Sequence, residues 1–261
     1  MSLSTVNWNP VTYDRLATPH RSWAQEIINR LPISPSDCIL DAGCGTGYMT
    51  KMVAERVPSG RVLAVDVSAE MLKFGIEHGS LSIPQVEVLN ADLLELKIDR
   101  EVDGVFSNAV FHWILDQHRL FSSLFRCLRP HGWLASQAGG GPNLRTLLID
   151  VFDLMQRGPY AEFFGSWVEP WVFLREDAML RILTEAGFVS SEVWLESKPT
   201  QFESPEQYRA YLKEIVLRPY LAVLSPAMQD SFLAELTHRS LMKAHPLEID
   251  YHRLNIFARK P

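Results

Sequence analysis

Apolar and polar positions along the chain change period at intervals. Trp23, Ile27, Ile28 and Leu31 recur at helical spacing, and Pro32 and Pro35 end that run. Short apolar stretches follow, at 38–41, 61–67, 85–90, 101–108 and 133–138, each with the length and Val/Leu content of a buried strand. Helical patterns at about 46–57, 69–78 and 116–128 separate several of them, and Pro58-Ser59-Gly60 and Arg129-Pro130-His131-Gly132 mark turns. Ser68 is placed to cap the helix at 69–78, with Glu70 in its first turn. Strands alternating with helices predict an α/β fold, a parallel sheet with crossovers on both faces.

After residue 138 the pattern changes. Residues 139–174 begin with three glycines and a proline, then carry Phe152, Tyr160, Phe163, Phe164, Trp167 and Trp171 in helical spacing. Aromatics so spaced more often pack a helical core than touch a ligand. A helix at 175–186 ends at Gly187, a sixth strand spans 191–199, and residues 203–244 are helical with breaks at Pro219 and Pro226. Residues 248–259 form a seventh strand.

Composition narrows the class. The chain has 261 residues and is 47% hydrophobic, enough for one large domain or a core with a cap. No apolar run reaches a membrane span, and the polar start at 1–10 lacks a signal-peptide layout. A net charge of −6 without a dense Lys/Arg run argues against a nucleic-acid partner. Cys38, Cys44 and Cys127 form no C-x-x-C pair, which reads as reduced thiols in a cytoplasmic protein with no metal site.

The candidate chemistry begins at residues 40–50, where a strand runs into glycines at 43, 45 and 47 and then a helix. Glycines let the main chain turn sharply and approach a ligand, and the helix aims its N–H groups at whatever lies over the turn. The spacing is neither a dinucleotide fingerprint nor a phosphate loop. Asp41, ahead of the first glycine, would repel a pyrophosphate and suits a cationic ligand with an amino-acid head. Cys44 reads as a small packing residue, since no base is evident beside it.

Ile39-Leu40-Asp41-Ala42-Gly43-Cys44-Gly45-Thr46-Gly47 resembles the first motif, hhDxGxGxG, of the class I S-adenosylmethionine (SAM) dependent methyltransferases. Other strand ends follow in the family's order. Asp66, 23 residues beyond Gly43, can accept both ribose hydroxyls, although an acid there equally suits NAD. Val67 follows it, and Met71 can cover one face of adenine. In Asn90-Ala91-Asp92-Leu93, Asp92 can accept the adenine amine while Leu93 offers a backbone N–H. The resemblance places Asn108 beside the methionine ammonium, and His112 and Trp113 at the acceptor pocket.

A closer resemblance rests on Trp8-Asn9-Pro10, Tyr13-Asp14 and Asn108-Ala109-Val110-Phe111-His112-Trp113. These look like the trans-aconitate methyltransferase group, whose members esterify a small tricarboxylic acid. The resemblance implies that Trp8 and Tyr13 close over the SAM site, Tyr13 near the sulfonium. The malonyl-carrier methyltransferases have a related layout. Methyl transfer to a carboxylate needs no general base; transfer to a phenol or amine would require His112 to take a proton. Arg145 and Arg218, in the helical insertions, are candidate carboxylate-binding cations.

The expected fold is Rossmann-like α/β: a seven-stranded, mostly parallel sheet with the last strand antiparallel, helices on both faces and a helical lid. The expected division is an arm and helix over the cofactor site (1–34), a SAM-binding core (35–140), a first lid insertion (141–174), a core helix with strand six (175–200), a second lid insertion (201–246) and a C-terminal strand (247–261). The leading expectation is a monomeric SAM-dependent methyltransferase of a small carboxylate, yielding S-adenosylhomocysteine (SAH). Alternatives are C-, N- or phenol O-methylation, a carrier-bound acid, a silent SAM-binding protein and a nicotinamide dehydrogenase.

Overall fold

A computed structural model describes residues 10–12, 23 and 25–261. Among the described residues nine strands form: β1 (Cys38–Ala42), β2 (Arg61–Asp66), β3 (Val86–Asn90), β4 (Val102–Asn108), β5 (Leu128–Gly139), β6 (Val189–Ser197), β7 (Thr200–Gln201), β8 (Glu248–Ile249) and β9 (His252–Arg259). Seven of them make one sheet in the order β3-β2-β1-β4-β5-β9-β6. β1 to β5 pair in parallel, and β9 runs antiparallel to both neighbours. The expected Rossmann-like sheet with an antiparallel last strand is what forms.

Alternation explains the layers. Leu40, Leu63, Val65 and Val105 face a core shared with α3 (Gln117–Cys127) and α5 (Glu176–Ala186). Ile39, Val62, Phe106 and Trp133 face the other side, where Val53 of α1 (Tyr48–Ala54) covers them together with Ile28 and Leu31 from the segment before β1. α2 (Ala69–Glu77) starts at Ser68, whose hydroxyl accepts the Met71 N–H at 3.3 Å. α5 ends at Gly187 (φ 102), where the Phe188 N–H reaches the Leu183 carbonyl at 3.0 Å.

A third hydrophobic cluster belongs to a separate helical layer. α4 (Arg145–Met155), α6 (Pro205–Tyr211), a π-helical turn at Leu212–Val216, α7 (Arg218–Leu221) and α8 (Pro226–Leu241) pack around Leu147, Val151, Tyr208, Tyr220 and Phe232. Tyr160, Phe164 and Trp171 are buried in this cluster, while Phe152 and Phe163 stay exposed. β7 and β8 pair beside the layer as a two-stranded ribbon.

Three boundaries differ from the linear reading. The first helix begins at Tyr48, because Gly47 is still left-handed (φ 81). The turn expected at 129–132 is absorbed into β5 as an irregularity with His131 at φ 64. The strand expected at 248–259 divides into β8 and β9, since the Tyr251 N–H bonds back to the Ile249 carbonyl at 3.0 Å and turns the chain.

Candidate active site

Parallel pairing brings the carboxyl ends of β1, β2, β3 and β4 to one edge, over a cavity of about 460 Å3. The glycine turn forms its floor. Gly43 and Cys44 both donate to the Val65 carbonyl, at 2.8 and 3.0 Å, tying the loop to β2. Gly43 (φ 86), Gly45 (φ 55) and Gly47 (φ 81) are left-handed, a conformation in which a side chain is strained. Asp66 binds the loop from β2: its Oδ2 accepts the Gly45 N–H and its Oδ1 the Ser68 N–H, both at 2.8 Å. Burial raises the Asp66 carboxyl, and these N–H bonds oppose the rise.

Asp41 is 2% exposed and accepts the Thr50 hydroxyl at 2.6 Å. Desolvation pushes its pKa up to about 7, partly offset by the Thr50 hydrogen bond. Burial also drives the Cys44 thiol well above its ordinary range, with Asp41 and Asp66 adding, so it is an inert packing group at neutral pH. Asp41, Gly43, Cys44, Gly45, Asp66, Val67, Met71, Ala91, Asp92, Leu93 and Asn108 all lie in the cavity wall. Asp92 Oδ1 accepts the Leu94 N–H at 2.9 Å, which orients the carboxylate.

Beyond β4 the chain makes a tight turn through Ala109 (φ 61) into a 3-10 turn, Phe111–Trp113. The Gln117 amide caps it, donating to the Phe111 carbonyl at 2.7 Å. His112 is held on several sides. Its Nδ1 accepts the Gly139 N–H at 3.2 Å, its carbonyl accepts the Val172 N–H at 2.8 Å, and its ring lies 5.9 Å from Phe173. Trp113 packs on Trp171 at 5.0 Å. His112, Trp113, Trp171 and Phe173 line the half of the cavity away from the glycine turn.

β9 and the helical layer complete that half with Arg253, Tyr251, Asn143, Ile215 and Val216. Arg253 is 2% exposed, and its guanidinium lies 5.2 Å from the Trp23 ring centroid. Among the described residues it is the one cation in the wall. The linear reading missed it, because one arginine in an alternating strand carries no local signal. The arginines that reading selected lie elsewhere. Arg145 lines a separate shallow groove with Ile149, Phe152 and Arg175, and Arg218 pairs with Glu214 at 3.0 Å outside the cavity wall. Both lie on the helical layer, whose folding turns them away from the sheet edge. Trp8 and Tyr13 fall outside the described residues.

Comparison with known proteins settles the family. Residues 39–132 match the model of a methyltransferase domain. A trans-aconitate 2-methyltransferase of Azoarcus sp. (strain BH72) is 30% identical over 258 residues, 97% of this chain and 96% of that relative. The chain belongs to the class I SAM-dependent methyltransferases. A trans-aconitate 2-methyltransferase of Escherichia coli O7:K1 is 27% identical to this methyltransferase, across 97% of this chain and 98% of the relative. Solved structures share the fold. Phosphoethanolamine N-methyltransferase 2 of Haemonchus contortus, bound to SAM, matches with TM-score 0.62 at 21% identity, over 97% of this chain and 56% of that longer one. A methyltransferase from Bacillus halodurans C-125 matches with TM-score 0.65 at 18% identity, over 92% and 99%.

The methyltransferase's own residues fit SAM. Asn108 Oδ1 is buried, lacks a hydrogen-bond partner among the described residues and belongs to a side chain of the wall, which suits an ammonium donor. A Cβ on Gly45 would meet only Met71 Cε, at 3.8 Å, so the missing side chain leaves room against the thioether. Asp41, at the end of β1, suits a ligand that carries positive charge at its amino-acid end.

Proposed function

We propose that this methyltransferase esterifies a carboxylate of a small, trans-aconitate-like polyacid. The observation that carries the reading is Arg253, a buried guanidinium in the acceptor half of the cavity. A guanidinium matches a carboxylate in bidentate geometry, so its presence beside the acceptor suits an anionic acid there. The printed names of the full-length relatives point to the same acceptor class.

When bound, SAM supplies a methyl group already activated on a sulfonium, so the protein's task is alignment. Asp66 has a second lone pair on each oxygen for ribose hydroxyls. Met71 and Leu93 would flank the adenine, and Asp92 would take its amine. Asn108 and Asp41 face the amino-acid end. Arg253 holds the acceptor while Trp113, Trp171 and Phe173 exclude water. Segments 141–174 and 201–246 act as the lid. The three free thiols fit a reducing compartment such as the cytoplasm.

The test incubates the enzyme with methyl-labelled SAM and a pool of di- and tricarboxylic acids, trans-aconitate included. Label that transfers and is released by alkali supports a methyl ester. Alkali-stable label moves the acceptor to carbon, nitrogen or a phenol.

A further inference from the structure

We infer that His112 serves the reaction as a neutral hydrogen-bond donor through Nε2, not as a base, and that its tautomer is set by the Gly139 amide. The inference deepens the carboxylate reading above and rests on it for the identity of the acceptor.

The geometry begins with strand lengths. β4 pairs with β5 as far as Asn108 opposite Gln137, and the Ala109 N–H closes that ladder on the Gln137 carbonyl at 2.7 Å. β5 runs on to Gly139. Successive N–H groups of a strand point to opposite neighbours. The Gly140 N–H goes to the His252 carbonyl of β9 at 3.1 Å, so the Gly139 N–H faces the side where β4 has ended. A buried amide needs an acceptor. The turn after β4 brings His112 Nδ1 to it at 3.2 Å.

A backbone N–H can only donate, so Nδ1 must offer its lone pair. The proton of a neutral imidazole then sits on Nε2. The carbonyl of His112, bonded to Val172, and the ring's packing against Trp113 and Phe173 fix this orientation. A ring so held cannot accept a proton at Nε2; doing so would require it to give up Gly139. It can donate to an anionic oxygen. Gly139 is also the register partner of Arg253, so the donor and the guanidinium are tied to one residue from opposite sides. Together they form a two-point hold on a carboxylate, an acceptor that reaches methyl transfer with no proton to lose.

The deciding experiment has two arms. The first records long-range 1H–15N correlations of 15N-histidine-labelled enzyme bound to SAH, which needs no acceptor. The Nε2–H pattern at His112 is expected; the Nδ1–H pattern overturns the inference. The second measures kcat/KM on the methylated acid for His112→Gln and His112→Ala. Gln retains a donor, so it is expected to stay within about threefold of wild type. Ala is expected to lose roughly 10- to 100-fold, the range for a hydrogen bond to a charged group. Asp41, Asp66, Asp92, Asp116 and Arg253 line the same cavity and are common to both proteins, so wild-type and Gln pH profiles should have the same shape from about pH 6 to 8. A limb present in wild type and absent in Gln overturns the inference. So do equal losses in two folded, SAH-binding variants, or no loss in Ala. A wild-type enzyme that methylates no acid ends the carboxylate reading and with it the two-point hold, while the first arm still judges the tautomer.

Discussion

Thr50 donates its hydroxyl to Asp41 at 2.6 Å, so a side chain of α1 fixes the carboxylate at the end of β1. This bond crosses the glycine turn and orients the most deeply buried acid of the cavity wall.

The pKa of Asp41, raised by burial to about 7, makes both stability and binding depend on pH. A carboxyl whose pKa is higher in the folded state binds its proton more tightly there. Its contribution to stability is full below the unfolded value of 3.8 and is lost as pH rises through about 7. The ligand-free protein should therefore unfold more easily at pH 8 than at pH 6. SAM carries a sulfonium and an ammonium against one carboxylate, and this net positive charge favours the ionised acid, so SAM should bind more tightly at pH 8 and release protons on binding. Calorimetry in buffers of different ionisation enthalpy reads that release; zero release across the range would remove Asp41 from the amino-acid end.

Asp66 both anchors the loop and faces the cavity. Asp66→Ala should weaken SAM by roughly 10- to 100-fold, since a hydrogen bond to a charged group is worth about 1.5–3 kcal/mol. Asp66→Asn should fall between. Unchanged SAM affinity in Asp66→Ala would show that the ribose lies elsewhere.

At Gly43 (φ 86) a Cβ would overlap the side chain of Val110. Gly43→Ala combines a left-handed backbone with overpacking and should cost about 2–5 kcal/mol. Thermal unfolding measures the loss. Val110→Ala in the same chain should recover the overpacking part and leave the backbone part.

Arg253→Met should leave SAM affinity near wild type while raising KM for a carboxylate acceptor at least ~30-fold, from the 2–5 kcal/mol lost when one member of a buried charge pair is removed. Arg253→Lys should recover part of the loss, because an ammonium lacks the planar fork. An unchanged KM in Arg253→Met would place the acceptor elsewhere in the cavity.

The glycine-turn half of the cavity was legible because its determinants are local. Asp41, Gly43 and Gly45 lie in one turn, and Asp66 and Asp92 each follow a strand whose apolar run is visible in the chain. The half of the cavity away from the glycine turn was legible only at His112 and Trp113, which follow β4 directly. Ile215 and Val216 enter the wall from a π-helical turn that no periodicity announced. Arg145 and Arg218 carried the right chemistry on elements that fold away from the cavity.

The sequence by itself determined the alternation of strands and helices, the left-handed glycine turn and the order of acids along the sheet edge. These follow from backbone sterics and hydrophobic periodicity, which act over a few residues. Tertiary structure decided which distant residues share the half of the cavity away from the glycine turn. Inserting β9 between β5 and β6 sets Arg253 opposite Gly139, whose amide in turn holds His112. Strand order and register arise from packing the whole sheet against its helices, so residues far apart in the chain become neighbours without any local mark of it.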